Sequence, residues 1–198
     1  MSLARFAAAA IACAALAGGC DRLPGAKSPF KSIDVTGAPM GGELRLTDHN
    51  GKPRTLADFR GKVVLVNFGY TQCPDVCPTT LADLASAMKK LGADASQVQV
   101  LFVTVDPKRD KPGLLREYLP AFDPNFLGLY GDEDSTKKVT RDFKIYAQER
   151  PGKTPETYTV DHAAQTFVFD RQGRLRLVMG YGMAPDAIAS DVRLLLNS

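Results

Sequence analysis

Cysteine and histidine are scarce in this 198-residue chain, with four of the first and two of the second. Two of the cysteines, Cys13 and Cys20, fall in an N-terminal leader. If Cys13 is removed with that leader and Cys20 is acylated, only Cys73 and Cys77 remain in the folded part, too few for a framework of structural disulfides. There is no run of lysine or arginine, and 25 basic residues against 22 acidic ones leave a formal charge of +3. That is a mixed solvated surface and argues against a nucleic-acid binder. No apolar run reaches the ~20 residues that span a bilayer. Internal repeats are absent, as are low-complexity segments beyond the leader.

The leader itself is legible. Arg5 supplies a small positive region, and Phe6 to Ala17 is a 12-residue apolar run dominated by alanine. That length suits the hydrophobic part of a secretory signal. The run ends in Leu16-Ala17-Gly18-Gly19-Cys20, which resembles a bacterial lipobox, with Ala17 where that pattern prefers leucine. Cleavage before Cys20 would leave its sulfur to carry lipid. Cys13 is a poorer acceptor because it would leave almost no apolar region. Plain secretion and an uncleaved anchor are the alternatives. Asp21 resembles a signal for retention at the inner membrane, which places the chain in the cell envelope, lipid-anchored at the periplasmic face. Cleavage removes one charged residue, Arg5, so +3 becomes +2. Pro24, Gly25, Ser28, Pro29, Gly37 and Pro39 mark a flexible tether. The expected organisation is a signal peptide over 1–19, a tether over 20–39 and a folded domain over 40–198, a size that allows a hydrophobic core.

Along that domain, Glu43 to Thr47 and Arg54 to Leu56 flank Asn50-Gly51, a hairpin signal. Val63 to Phe68 is apolar apart from Asn67 and lies between Gly61 and Gly69, the pattern of a buried central strand. Leu81, Leu84, Ala85, Met88 and Leu91 recur at helical spacing after Pro78, and Gly92 provides a stop. Val98 to Val105 predicts a second buried strand ended by Asp106-Pro107. Leu114 to Phe122 predicts a helix, and Ser135 caps another running to about Phe143. Thr166 to Phe169 and Leu175 to Met179 are strands about an Asp170-Arg171-Gln172-Gly173 turn, and Pro185 opens a last helix ending near Leu196. This order describes an α/β, thioredoxin-like fold with an N-terminal β-hairpin and an inserted helical segment over 106–146.

The chemistry is concentrated in Phe68-Gly69-Tyr70-Thr71-Gln72-Cys73-Pro74-Asp75-Val76-Cys77-Pro78, between a buried strand and a helix start. Sites in parallel α/β sheets are built at that end of the strands. A thiol at a helix N-terminus meets unpaired N–H groups, which predicts a stabilised thiolate and a lowered pKa. The spacing is Cys-x3-Cys, one residue wider than the usual dithiol reductase motif. Such a loop can close as a disulfide or splay two sulfurs around a metal. Two thiolates suit Cu(I), and an added imidazole makes a mixed set that also holds Cu(II).

Only two histidines are available as a third ligand. His162, in Tyr158-Thr159-Val160-Asp161-His162, precedes a predicted strand whose leading loop approaches the active-site helix in a thioredoxin-type sheet. Asp161 is placed to orient its imidazole. His49 falls in the Asn-Gly turn and is expected to be exposed and idle. Met40, Met179 and Met183 are read as core or loop filling rather than soft ligands. Asp106 ends the strand beside the cysteine strand. It is read either as a simple strand terminus or as an assistant in thiol proton transfer or docking.

These blocks, in this order, resemble the Sco/SenC family. Phe68-Gly69-Tyr70-Thr71 and Cys73-Pro74-Asp75-Val76-Cys77-Pro78 are similar to its signature. Thr104-Val105-Asp106-Pro107 with Arg109-Asp110 is similar to a second block, and Tyr118, Phe122, Pro124 and Gly128-Leu129 fit the segment that follows. Val160-Asp161-His162 fits the histidine block; Ala163-Ala164-Gln165 departs from it, where bulkier residues are common. The likeness runs over roughly residues 40 to 195. It implies a copper-binding thioredoxin fold, Cys73, Cys77 and His162 as ligands for Cu(I) and Cu(II), and a metallochaperone that helps load the binuclear copper centre of cytochrome c oxidase. The partners it implies are the oxidase copper-centre subunit, an upstream copper donor and a thioredoxin-like reductant. A thiol–disulfide oxidoreductase acting on the oxidase cysteines through the redox pair Cys73 and Cys77 is the alternative. A peroxidase is a weaker third, since the cysteine surroundings do not match that motif.

Overall fold

A computed structural model describes residues 28–154 and 157–198. The signal segment, Cys13, Cys20 and the first part of the tether lie outside the described residues. In chain order the elements are β1 (Ile33–Asp34), β2 (Arg45–Asp48), β3 (Pro53–Thr55), β4 (Val63–Gly69), α1 (Val76–Leu91), β5 (Val98–Thr104), α2 (Pro112–Tyr118), β6 (Leu127–Tyr130), α3 (Glu133–Asp142), β7 (Ala147–Arg150), β8 (Thr159–His162), β9 (Thr166–Phe169), β10 (Leu175–Met179) and α4 (Pro185–Leu196). Eight strands form one sheet in the order β1-β10-β9-β4-β5-β6-β2-β3, and β7 and β8 form a separate two-stranded sheet.

The centre is the pair of apolar runs. β4 and β5 lie parallel from Val63↔Val98 to Gly69↔Thr104, and β9 runs antiparallel to β4 from Val64↔Phe169 to Asn67↔Thr166. Every β4 residue is buried, because both faces of the sheet are covered. Val63, Leu65, Val100 and Phe102 point to the side where α1 and α4 pack on each other through Leu81, Leu84, Met88, Ile188, Val192 and Leu195. Val64, Val66, Phe68, Leu101 and Val103 point to the other side. There they meet Phe167, Phe169, Val139 of α3 and Phe143 just after that helix. Asn67 is the exception in the run, and its Nδ2 donates to Thr166 Oγ1 at 3.1 Å across the β4–β9 seam.

The mixed α/β architecture agrees with the sequence reading, with three differences in detail. The inserted segment is not purely helical, because β6 sits between α2 and α3 and extends the sheet parallel to β5. The hairpin about Gly51, whose φ of 86° only glycine adopts easily, joins the sheet through β2 against β6. The cap of α3 is Asp132, whose side chain accepts the Ser135 N–H, rather than Ser135 itself.

Within 20–39, the Lys31 and Ser32 N–H groups donate to the buried Asp191 carboxylate of α4, both at 2.8 Å, and β1 pairs with β10. Among the described residues no helix is long and apolar enough to cross a membrane.

Candidate metal centre

The end of β4, the start of α1, the end of β8 and the start of β9 converge at one rim of the sheet. β4 stops at Gly69, and Tyr70 to Asp75 turn back into α1, whose first turn holds Cys77 and Pro78. Gly69 is required here by space. A Cβ on it would lie 2.7 Å from Cys77 Sγ and 2.7 Å from the Phe102 ring. The absence of a side chain lets the Cys77 sulfur rest against the strand. Cys77 is thereby buried, at 1% exposure, while Cys73 on the preceding loop is half-buried; both are free thiols.

β8 delivers the third donor. His162 is its last residue, and its Nε2 lies 3.3 Å from Cys77 Sγ. One donor atom from each of Cys73, Cys77 and His162 lies within 4.8 Å of the others. Metal–sulfur bonds of ~2.3 Å and metal–nitrogen bonds of ~2.0 Å allow donors on one ion to be about 4–4.6 Å apart. The three groups therefore reach a shared ion with sub-ångström adjustment. Two sulfurs and an imidazole are a soft set, and they fit copper.

The imidazole is oriented by backbone. Nδ1 is 3.1 Å from the Ala163 carbonyl, which only accepts, so Nδ1 carries the proton and the Nε2 lone pair faces the sulfur. Tyr70 meets the same ring edge-on, with centroids 5.8 Å apart. Asp161 does not take the orienting role expected of it. Its carboxylate is exposed and ion-paired with Arg150 at 2.6 Å, because alternation along β8 points it away from the site.

The expected lowering of the thiol pKa is also reversed at Cys77. Burial pushes this thiol well up from its ordinary value. A hydrogen bond from the Tyr70 backbone works against that, and neighbouring Cys73 adds to it. The desolvated position outweighs the helix N-terminus, so the metal-free protein holds Cys77 as a protonated S–H facing Nε2.

Asp106 comes near the site without touching the sulfurs. It is 2% exposed, and its oxygens accept Arg109 Nε at 2.5 Å and the Tyr158 hydroxyl at 2.7 Å. Two further residues, quoted above only as parts of a sequence block, shape the centre. Arg109 also donates to Gln72 Oε1 at 3.1 Å and to the Tyr158 carbonyl at 2.8 Å, and stacks 3.6 Å above the Tyr158 ring. Asp110 accepts the Thr71 N–H, the Thr71 hydroxyl at 2.6 Å and the Thr104 hydroxyl at 2.6 Å, fixing the start of the cysteine loop to the end of β5. A signal for both was the position of Arg109-Asp110 directly after a strand ending beside the cysteine strand.

His49 differs from expectation. It is 7% exposed, its Nδ1 accepts the Gly128 N–H at 3.2 Å, and Arg116 donates to its carbonyl. Met179 is core, Met40 packs against the side of the sheet that holds Phe143 and Phe169, and Met183 accepts from the Ser32 hydroxyl, so none joins the donor group. A cavity of about 560 Å³ lies elsewhere, with Arg45, Tyr130, Asp110 and Lys111 among its lining residues and none of the three donors.

This geometry has counterparts. The SCO1/SenC family model matches residues 34–197. The mouse mitochondrial SCO2 homolog is 36% identical over 154 residues, covering 77% of this chain; the chain spans only 60% of that protein's length. The copper-bound structure of ScoI from Bradyrhizobium japonicum is 40% identical with a TM-score of 0.74, covering 79% of this chain and 99% of that one. BsSco, a member of the Sco family of cytochrome c oxidase assembly proteins with an identified disulfide switch, is 25% identical with a TM-score of 0.64, over 84% and 97% of the two chains. With sequence blocks and fold in agreement from β1 to α4, the chain belongs to the SCO1/SenC family.

Proposed function

We propose that the protein is a copper metallochaperone that carries Cu(I) or Cu(II) on Cys73, Cys77 and His162 and passes it to the binuclear copper site of cytochrome c oxidase. The observation that carries this reading is the convergence of two sulfurs and one imidazole within 4.8 Å at the sheet rim. The copper-bound relative and the oxidase-assembly relative support it. Copper is the cargo. The site offers it two thiolates and a preoriented Nε2, and a half-buried Cys73 leaves one side open for ligand exchange with an acceptor. On this reading the copper-centre subunit is the acceptor, an upstream donor supplies the metal and a thioredoxin-like reductant keeps the pair reduced. A lipid on Cys20 holds the protein at the periplasmic face of the inner membrane.

The test is an anaerobic copper titration of the reduced protein followed by absorption and EPR. One equivalent bound, with thiolate-to-Cu(II) charge-transfer bands, supports the reading; absence of stoichiometric binding overturns it. Membrane attachment is tested separately. Cys20→Ser should move the protein from the membrane to the soluble fraction, and retention would identify the apolar segment itself as the anchor.

A second reading rests on the asymmetry of the thiols, one accessible and one buried. Cys73 thiolate attacks a partner disulfide, and Cys77 then displaces the partner sulfur. The partner leaves with two thiols, and Cys73–Cys77 becomes the disulfide that the reductant must reopen. Turnover of a disulfide substrate without stoichiometric copper binding would favour this reading.

A further inference from the structure

We propose that Arg109 is a positioning residue that latches the histidine-bearing β7–β8 hairpin to the cysteine loop, so that the third copper ligand is held, and can be released, independently of the two sulfurs. The inference rests on the reading of Cys73, Cys77 and His162 as the copper site.

β7 and β8 pair with each other and with no strand of the eight-stranded sheet. His162 therefore lacks the backbone ladder that fixes the cysteine side, where β4 is paired on both edges. All four β7 residues are exposed, and Val160 is the only buried residue of β8. Side chains must supply what the ladder does not.

Arg109 is placed to do so from three directions. Its Nη1 bridges Gln72 Oε1, next to Cys73, and the Tyr158 carbonyl, four residues before His162. Its guanidinium carbon lies over the Tyr158 ring, 3.6 Å from the centroid, and 5.7 Å from the Tyr70 centroid, and Tyr70 is the ring that meets His162. Its Nε is paired with buried Asp106, whose other oxygen accepts the Tyr158 hydroxyl. One planar cation thus ties the cysteine loop, the end of β5 and the hairpin together. A lysine has no planar fork with which to repeat these contacts. The other links are lighter. Lys108 pairs with Glu149 at an exposed position, and Tyr70 meets the His162 ring edge-on.

The consequence is a divided site. Cys77 sits in the first turn of α1 and Cys73 on the short loop between β4 and α1, and the two sulfurs suffice for Cu(I); the imidazole, which a Cu(II) site needs, hangs on the latch. Opening the latch converts a three-donor site into a two-thiolate site without moving a sulfur.

The test compares full-length wild type, Arg109→Lys, the double variant Asp106→Asn/Arg109→Gln and His162→Ala, using copper ions as the probe. The double variant removes the pair without stranding a buried carboxylate. In Arg109→Lys and the double variant, Cu(II) affinity should fall about tenfold to a hundredfold, the range for losing a residue that orients a metal ligand. The charge-transfer band should move toward that of His162→Ala, and Cu(I) affinity should be unchanged. Hydrogen exchange at Val160 to Ala163 should quicken in the metal-free protein. Wild-type Cu(II) spectra and hairpin exchange in both variants would overturn the latch, even if their melting temperatures fall. If His162→Ala itself leaves Cu(II) binding intact, the copper reading fails, and the hairpin exchange still decides the latch.

Discussion

His162 Nε2 lies 3.3 Å from Cys77 Sγ, with the imidazole proton committed on the far side to the Ala163 carbonyl. A lone pair and a thiol face each other with no other group interposed. His162→Ala should therefore reduce Cu(II) affinity by more than the roughly 10–100-fold that follows loss of a ligand's supporting partner. Cu(I) binding by the two sulfurs and thiol–disulfide exchange should persist. Competition titrations with a Cu(II) chelator, alongside exchange kinetics, check this; unaltered Cu(II) affinity would remove His162 from the ligand set.

The two thiols should differ in reactivity. Cys73 is half-buried on a loop, whereas Cys77 is buried against Gly69 and its thiol is pushed up by desolvation. Alkylation depends on both access and thiolate content. Limited treatment of the metal-free, reduced protein with iodoacetamide at neutral pH should label Cys73 first. Peptide mapping reads the order, and faster labelling of Cys77 would contradict the geometry.

What could be read in advance follows from how strongly each element is patterned. β4 and β5 announce themselves because burial on both faces demands an unbroken apolar run, and α1 and α4 because one face repeats every three to four residues. β6 is only Leu-Gly-Leu-Tyr, and β7 is Ala-Gln-Glu-Arg, wholly exposed, so neither carries a periodic signal. The grouping of Cys73, Cys77 and His162 was legible because these residue types have few rivals in the chain. The role of Asp110 was not, because it joins two chain turns 39 residues apart, and those of Arg109 and Tyr158 were not because they depend on a hairpin that the sequence pattern does not reveal. Asp161 was misread for the same reason: only the register of β8 shows it facing Arg150.

Gly69→Ala tests the packing behind Cys77. The new methyl group would sit 2.7 Å from both Cys77 Sγ and the Phe102 ring, and neither neighbour is the free end of a flexible chain. Overpacking of this kind costs about 1–3 kcal/mol. Urea unfolding of the metal-free protein should show a loss in that range. The sulfur, pushed off the strand, should also bind Cu(I) more weakly. A variant as stable as wild type would mean that the strand end shifts freely.

His49 gives the fold a pH dependence outside the metal centre. Burial lowers its pKa below the ordinary value, Arg116 acts in the same direction and Asp48 opposes them. A histidine whose folded pKa is depressed is held neutral by the fold. As pH falls through the unfolded pKa of about 6.5, the unfolded chain takes up a proton that the folded chain refuses, and stability declines. The contribution is fully present above that pH and is lost progressively until the folded pKa is reached. His49→Asn offers an acceptor to the Gly128 N–H but cannot titrate. Urea midpoints of the metal-free protein between pH 7 and about pH 5 should therefore fall less steeply in His49→Asn than in wild type. Parallel slopes in the two proteins would show that His49 is not the titrating group and that the acid sensitivity arises elsewhere.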